Sequence, residues 1–356
     1  MPAFPGWTFR VGQGPLDFSV AQPLIGRGHT VYGSANAAKM FDGGYGYDTV
    51  SPSGWGCTSG SWAATQIGAG PTQLYVVVSN DLGSSDYATG GMEGYRIQIS
   101  SDSTNGADGT WTTAITVSGN IYTTRGHLIT GFTGNSWIKI IVDQCTGGVI
   151  DELDVWDATN GTPDTFLFIG DSITYGCMNR VYYGAGTGNH PSFQENVEIN
   201  KPGHYPAQHA AGKIGSSTTF WASEISTVLA VYPDVKYVCI SLGTNDSPYS
   251  TIPTFISNLT TIVNAIVADG RIPILARAPW SGAAGYGGGD YNTCLVRQFN
   301  DGGIDYITST LGVRKGPDLY QLFYDNRVLY AVEADPHPNS DGQKGWTKAW
   351  ADSVSL

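Results

Sequence analysis

The spacing of apolar and polar residues changes near residue 160. Before that point the apolar residues form short runs at 74–78, 94–100 and 137–142, and some alternate with polar residues as in a half-buried strand. Polar, Gly-rich stretches such as 101–109 separate the runs and predict loops. Convincing helical periodicity is absent from this half. The pattern therefore predicts an all-β sandwich over residues 1–160.

After a polar linker at 157–163, strand-like and helix-like segments alternate. Residues 251–268 place apolar side chains at steps of three and four, which defines one face of a helix. The apolar runs that predict buried strands are 166–169, 237–242 and 272–277. Such alternation predicts an α/β domain over residues 163–356, with a parallel sheet covered by helices on both sides.

Polar residues follow two of these strands directly. Gly-Asp-Ser ends the first strand and contains Ser172, and Gly-Thr-Asn-Asp ends the second and contains Asn245. A third segment, Asp-Pro-His-Pro-Asn, contains His337 near the C-terminus. The carboxyl ends of parallel strands meet at one edge of a sheet, so Ser172 and Asn245 are expected there together. A serine can attack an acyl carbon if a histidine takes its proton and an amide stabilises the oxyanion.

These three blocks, in this order, resemble those of the SGNH hydrolases, also called GDSL esterases and lipases. The resemblance covers roughly residues 163–356. It implies a three-layer α/β fold and ester hydrolysis through an acyl-enzyme, with Ser172 as nucleophile and His337 as base. The family's third catalytic residue normally precedes the histidine by three positions, which is Ala334 here. Asp335 is therefore the candidate orienting acid, and a Ser-His dyad held by a backbone carbonyl is the alternative.

The resemblance also implies an oxyanion hole. Its donors would be the Ser172 main-chain amide, the Asn245 side-chain amide and the main-chain amide of a glycine in a second block. Residues 199–203 match that block best, although their spacing departs from the usual one. The match assigns the role to Gly203, with Gly212 as the second choice.

Parts of the first half resemble galactose-binding-like jelly-roll domains of the discoidin and carbohydrate-binding-module type. The matching residues are Phe-Asp-Gly at 41–43, the later Trp55 and the run 95–100. Domains of that type often hold a structural calcium ion, for which Asp42 and Asp48 are candidate oxygen ligands. The alternative is that both aspartates are solvated loop residues.

A binding-type sandwich followed by an SGNH domain is similar to carbohydrate esterases, including two-domain acetyl-xylan esterases. The leading hypothesis is thus removal of acetyl groups from a polysaccharide. His204 and Trp280 are candidate substrate contacts, and Tyr286 and Tyr291 are further candidates for an aromatic rim that stacks on sugar rings. Two alternatives are a short-chain carboxylesterase or arylesterase for small lipophilic esters, and a non-catalytic adhesin or phage tail component with a vestigial hydrolase fold.

Charge and cysteine content narrow the function classes. The chain has 18 Lys and Arg against 30 Asp and Glu, a formal net charge of −12, which argues against nucleic-acid and anionic-lipid partners. No apolar run reaches the roughly 18 residues of a membrane span, and no signal peptide is visible. An extracellular or virion-associated protein is nevertheless expected. Five cysteines show no zinc-site spacing, and no cofactor is expected at the active site. A disulfide between Cys57 and Cys145 is one open possibility.

Overall fold

Two antiparallel sheets form the first part of the chain, which we call the β unit (residues 24–157). The structure is a computed structural model, and it describes residues 16, 18, 24–43, 55–81, 91–147, 149–179, 190–286 and 288–356. The strands of the β unit within those residues are β1 (Val31–Gly33), β2 (Trp55–Gly56), β3 (Trp62–Gln66), β4 (Leu74–Asp81), β5 (Met92–Ser100), β6 (Thr112–Val117), β7 (Thr124–Ile129), β8 (Trp137–Cys145) and β9 (Val149–Asp157). One sheet has the order β1-β3-β8-β5-β6 and the other β2-β9-β4-β7, with every neighbouring pair antiparallel.

Alternate side chains of these strands share one apolar core. Val76 and Val78 of β4 and Ile138 and Ile140 of β8 all belong to it. Because successive side chains of a strand point to opposite faces, one face of each sheet is buried against this core. The strands predicted for this half of the chain are therefore confirmed. A short 3₁₀ helix at Ala37–Phe41 also packs on the core.

A disulfide bond joins Cys57, which follows β2, to Cys145 at the end of β8. The pairing that the sequence left open is thus present. The free cysteines of the described residues, Cys177, Cys239 and Cys294, are all buried. Burial raises the pKa of the Cys177 and Cys239 thiols well above the usual range, so these two side chains act as packing groups and not as nucleophiles.

The second part of the chain is built on a parallel sheet, and we call it the α/β unit (residues 164–356). Its strands are β10 (Thr165–Gly170), β11 (Ala207–Gly212), β12 (Tyr237–Ser241), β13 (Ile272–Arg277) and β14 (Arg314–Asp318). Its α-helices within the described residues are α1 (Ser172–Asn179), α2 (Phe193–Asn200), α3 (Thr218–Val231), α4 (Ile252–Ala268), α5 (Leu295–Phe299), α6 (Asp305–Thr310), α7 (Leu319–Asp325) and α8 (Ser340–Ser355). The strand order is β11-β10-β12-β13-β14.

This strand order creates a crevice beside β10. The chain passes from β10 to its neighbour on one side, β11, and then to its neighbour on the other side, β12. The direction of winding reverses at that point, and the loops that follow β10 and β12 separate. Ligands of open α/β sheets bind in such a crevice, at the carboxyl ends of the strands.

Both faces of the parallel sheet are buried. The rings of Phe166 and Phe168 in β10 each lie 4.9 Å from the ring of Phe193 in α2, and Phe168 also contacts Trp346 and Trp350 of α8. Leu167 and Ile169 of β10 point to the opposite face because strand side chains alternate, and they are also fully buried. A strand buried on both faces needs a continuous apolar sequence, which is the pattern seen at 166–169.

The predicted long helix at 251–268 is α4, and a broken helix follows at 295–310. Thr251 caps α4 by accepting a hydrogen bond from the Thr254 amide. The broken helix consists of α5, a π-helical turn and α6. Asn300 begins that turn, and its side chain exchanges two hydrogen bonds with the Ala278 main chain, at 2.8 and 3.0 Å.

An N-terminal arm contacts the α/β unit although it precedes the β unit in the chain. Leu16 and Phe18 lie in the apolar core of the α/β unit, and the Leu16 amide donates to the Val354 carbonyl at 2.8 Å. The predicted division into 1–160 and 163–356 stays a prediction, and these two residues pack across it.

Strands β7 and β11 join the two units through buried polar groups. The Thr124 hydroxyl accepts a hydrogen bond from the Ala210 amide at 3.0 Å, and the Tyr232 hydroxyl donates to the Thr124 carbonyl at 3.0 Å. The Tyr75 hydroxyl and His209 Nε2 are hydrogen bonded at 3.1 Å.

Of the helices in the described residues, none combines the length and apolar character needed to cross a bilayer.

Candidate active site

Ser172 is the first residue of α1, directly beyond the carboxyl end of β10. The turn between strand and helix requires Gly170, because a Cβ there would lie 2.1 Å from the Thr174 hydroxyl and 2.6 Å from the Ser241 carbonyl. This close approach lets the chain turn tightly, and it places the serine at the rim of the sheet beside the crevice. The Ser172 main-chain amide is in the first turn of α1, where amides have no intrahelical acceptor.

Ser172 and His337 are hydrogen bonded although 165 residues separate them. The distance from Ser172 Oγ to His337 Nε2 is 2.8 Å. On the other side of the ring, His337 Nδ1 lies 2.6 Å from Asp335 Oδ1. The carboxylate favours a proton on Nδ1, so Nε2 is left to accept the serine proton. The structure thus brings these three predicted residues into one hydrogen-bonded chain.

The two-residue spacing between Asp335 and His337 works because the aspartate forms a local turn. Asp335 Oδ1 also accepts a hydrogen bond from the His337 main-chain amide, at 2.8 Å. An aspartate that bonds the amide two residues further on is a common turn arrangement. One carboxylate oxygen therefore orients both the main chain and the ring of the histidine.

Asn245 follows β12 at the same edge of the sheet. Its side-chain Nδ2 donates one hydrogen bond to the Ser216 carbonyl, at 2.9 Å, and no acceptor among the described residues takes its second hydrogen. The next residue, Asp246, anchors this loop, since its buried carboxylate accepts from the Thr218 amide and hydroxyl at the start of α3. Asn245 is thus held in place with one amide hydrogen available.

The structure does not bring Gly203 or His204 to Ser172. Both precede β11, and β11 runs parallel to β10, so they lie at the amino-terminal edge of the sheet. The Gly203 amide already donates to Glu198 Oε1 at 3.1 Å. The His204 ring packs edge-on against Phe18 with centroids 6.0 Å apart. Gly203 is therefore not placed to stabilise the oxyanion, and His204 is not placed to contact the substrate.

Gly212 lies at the correct edge but is enclosed. It pairs with Gly170 at the carboxyl end of β11. A Cβ at Gly212 would lie 2.4 Å from the Tyr175 amide nitrogen, so its face is covered by α1. Its role is to let the strand and the helix approach each other closely.

Gly215 is a candidate oxyanion donor that the sequence reasoning did not consider. It lies in the turn after β11, which is tied to the serine turn because the Lys213 amide and the Ser216 hydroxyl both donate to the Gly170 carbonyl, at 2.9 and 3.0 Å. Gly215 has a φ of +72°, and its amide donates no hydrogen bond within the described part of the chain. The sequence signal was Gly-Lys-Ile-Gly, but β11 contains alanine, glutamine and histidine and was not recognised as a strand.

Buried carboxyl groups surround the serine turn. Burial raises the pKa of Asp171 to about 6, although the Ile173 amide and His337 favour its charged form. Burial also raises the pKa of Asp246, against the effect of its hydrogen bonds from Thr218. Both carboxylates accept hydrogen bonds from main-chain amides, so these aspartates organise the loops around the serine.

The predicted aromatic rim is only partly present. Trp280 follows β13 at the correct edge, but its ring is buried against Tyr324, with centroids 5.4 Å apart. Tyr291 likewise packs against Tyr324 at 4.9 Å. Trp280 is thus a packing residue and not an exposed substrate contact. Tyr286 differs, because it is only half-buried, in a short 3₁₀ helix on the loop that follows β13.

Among the described residues, no group of three or more His, Cys, Asp and Glu side chains is arranged to hold a metal ion. Asp42 is described and exposed, whereas Asp48 lies outside the described residues. The buried carboxylate nearest to that loop, Glu152, accepts from the Gly43 amide and faces the Arg27 guanidinium. The calcium expectation therefore stays a prediction.

Comparisons with known proteins are distant. No family model matches the sequence, and no curated protein matches it. Among solved structures, the acetylxylan esterase Axe2 of Geobacillus stearothermophilus has 19% identity and a TM-score of 0.42, covering 55% of this chain and 96% of that one. A lipase/acylhydrolase of Enterococcus faecalis has 17% identity and a TM-score of 0.40, covering 54% and 95%. Both matches cover only the C-terminal half, and values this low carry no weight in the assignment below.

Proposed function

We propose that this protein is a serine esterase. The carrying observation is the hydrogen-bonded chain in which Ser172 Oγ lies 2.8 Å from His337 Nε2 and His337 Nδ1 lies 2.6 Å from Asp335. A nucleophile, a base and a group that orients the base are the three components of covalent acyl transfer. Their position at the switch point of a parallel sheet is where α/β proteins bind ligands.

Acylation begins when Ser172 Oγ attacks the ester carbonyl carbon and His337 Nε2 takes the hydroxyl proton. Asp335 stabilises the imidazolium that forms. The carbonyl oxygen becomes an oxyanion, which accepts hydrogen bonds from the Ser172 amide, the Gly215 amide and Asn245 Nδ2. His337 then protonates the leaving alcohol as the ester C–O bond breaks.

Deacylation repeats these steps with water. His337 removes a proton from a water molecule, whose oxygen attacks the acyl carbon. The second tetrahedral intermediate collapses, the bond to Ser172 Oγ breaks, and His337 returns the proton to the serine. The products are a carboxylic acid and an alcohol.

The substrate we propose is an acetylated polysaccharide. The resemblance of the two halves to a sugar-binding sandwich and an esterase supports this choice. Among the described residues, side chains at this edge of the sheet are exposed, with the Asp335 side chain 59% and Tyr249 88% exposed. A polymer can reach a serine at an open edge of the sheet, which a closed acyl tunnel would not permit.

A second candidate is hydrolysis of small lipophilic esters. Val328 and Leu329 are 72% and 57% exposed on the segment that leads to His337. Apolar side chains on that segment would favour a lipophilic substrate. The non-catalytic alternative is disfavoured, since a vestigial fold has no need to keep the Ser-His-Asp chain.

The protein is also proposed to be extracellular or virion-associated. The disulfide between Cys57 and Cys145 supports an oxidising environment.

Two measurements test the function. Acetate release from acetylated xylan and glucomannan, compared with hydrolysis of p-nitrophenyl butyrate, separates the two substrate classes. A fluorophosphonate probe should label the protein at Ser172, and Ser172→Ala should abolish both labelling and hydrolysis. A protein that neither reacts with the probe nor hydrolyses any of these esters is not a serine esterase.

A further inference from the structure

Tyr249 is uncovered on a rigid turn beside the site. It follows Asn245 by four residues, and its side chain is 88% exposed. Its main chain is nevertheless fixed, because the Tyr249 amide donates to the Asp246 carbonyl at 3.0 Å and the Ser247 amide donates to the Gly243 carbonyl at 3.0 Å. A large ring held out from an ordered turn loses less entropy on binding than one on a disordered loop.

Tyr286 lies on the neighbouring loop, in a short 3₁₀ helix at Ala284–Tyr286. This loop follows β13 and leans on the segment that carries the catalytic histidine. The Gly282 amide donates to the Val332 carbonyl at 3.0 Å, and a Cβ at Gly282 would lie 2.6 Å from the Glu333 carbonyl. The loop that carries Tyr286 therefore packs against Val332 and Glu333, which shortly precede Asp335 and His337 in the chain.

Tyr286 and Tyr249 lie on the loops that follow β13 and β12, which are neighbouring parallel strands, so both tyrosines belong to the carboxyl edge of the sheet. Ser172 follows β10, the other neighbour of β12, at the same edge. Burial raises the pKa of Tyr286, and the negative charges of Asp171 and Asp335 raise it further. Tyr286 therefore belongs to the same edge of the sheet as the nucleophile and Tyr249.

We propose that Tyr249 and Tyr286 form the subsite that binds the sugar ring bearing the scissile ester, which rests on the esterase function proposed above. Flat aromatic rings pack against the C–H face of a pyranose, and the phenol hydroxyls can hydrogen bond its hydroxyl groups. The nearby Asp335 and Glu333 carboxylates favour a neutral sugar over a uronic acid. The other aromatic candidates, Trp280 and Tyr291, already have their rings packed against Tyr324.

The test compares a sugar ester with an ester that has no ring. Acetate release is measured from acetylated xylo-oligosaccharides and from ethyl acetate, which carries the same acyl group. For Tyr249→Ala and for Tyr286→Ala, the ratio of the two kcat/KM values should fall about fivefold, as loss of one aromatic contact predicts. Tyr249→Phe and Tyr286→Phe keep the ring and should keep at least about half of the wild-type ratio.

Ile199→Ala is the matched control. Ile199 is a 66% exposed apolar residue near the end of α2, at the opposite edge of the sheet, so its removal should leave the ratio unchanged. Alanine variants with a wild-type ratio, or phenylalanine variants that lose as much as alanine variants, would overturn the subsite. A wild-type protein that hydrolyses ethyl acetate but no sugar ester would also overturn it, with the esterase function intact. A wild-type protein that fails with both esters and with the fluorophosphonate probe would refute the esterase function itself.

Discussion

At the scale of single residues, the site depends on hydrogen bonds whose donors are already in position. Asn245 keeps one amide hydrogen available because Ser216 holds the other. Gly215, in the turn after β11, has a left-handed φ of +72°, and its amide donates no hydrogen bond within the described residues. Donors that are fixed before the reaction stabilise a developing charge without reorganising, which is the main source of catalysis in acyl transfer.

Asn245→Ala should lower kcat by about 10²–10³, because one donor to the oxyanion is lost, while KM changes little. Steady-state kinetics on acetylated xylo-oligosaccharide or p-nitrophenyl acetate give both constants. Asn264→Ala is the control, since Asn264 is exposed on α4. A kcat within about twofold of wild type for Asn245→Ala would remove this residue from the oxyanion hole.

Asp335→Asn should lower kcat by at least about 10², because an amide no longer stabilises the His337 imidazolium and can hold the wrong tautomer. Asp341→Asn, a change at a nearby carboxylate in the first turn of α8, serves as the control. A loss of this size would contradict a Ser-His dyad, in which a backbone carbonyl and not Asp335 holds the imidazole. An Asp335→Asn enzyme with nearly wild-type kcat would instead establish the dyad.

At the scale of secondary-structure elements, β11 connects the two units through uncharged buried groups. His209 is fully buried, and burial lowers its pKa to about 3. Its Nε2 is hydrogen bonded to the Tyr75 hydroxyl of β4. A proton on His209 would place a charge between the sheets, so folding requires the neutral ring.

Stability should therefore fall as the pH is lowered from about 6.5 toward 4, since the unfolded chain binds a proton that folded His209 does not. Thermal unfolding of Ser172→Ala protein at pH 7.5 and pH 5 measures this effect. His209→Gln should unfold at a lower temperature at pH 7.5 but should lose less stability between the two pH values. His29→Gln, a change at an exposed ring, should keep the wild-type pH dependence. An identical pH dependence in wild type and His209→Gln would rule out this histidine as the cause.

At the scale of the whole molecule, the net charge of −12 opposes the approach of anions. Asp335 carries one of these charges at the site, with a side chain that is 59% exposed, whereas the nearby Glu333 is paired with Arg327. The protein should thus select neutral esters even before any specific contact forms.

Raising the salt concentration from about 20 mM to 500 mM should increase kcat/KM for an anionic ester such as monoethyl succinate, because added ions screen the repulsion. The same change should leave kcat/KM for neutral ethyl acetate nearly constant. The two substrates serve as each other's control in one pH-stat assay. An equal response of both to salt would exclude electrostatic selection.

The sequence was most informative where the chemistry is local. The apolar run at 166–169 followed by Gly-Asp-Ser correctly indicated a strand buried on both faces and a serine at its end. The spacing at 251–268 likewise identified α4, because the residues that form one face of a helix are close together in the sequence. By contrast, Gly203 and His204 were assigned to the site because β11 was missed, and without that strand the edge at which they lie could not be known.

The chain by itself therefore determined the two kinds of architecture, the nucleophile candidate at a strand end and the order of the polar blocks, since these depend on local periodicity and turn chemistry. Only the tertiary structure decided that His337 meets Ser172, that Asp335 reaches the ring from two residues away, and that Gly203 lies at the opposite edge of the sheet from the serine. Those relations depend on strand order and loop packing, which join residues far apart in the chain and leave no local pattern.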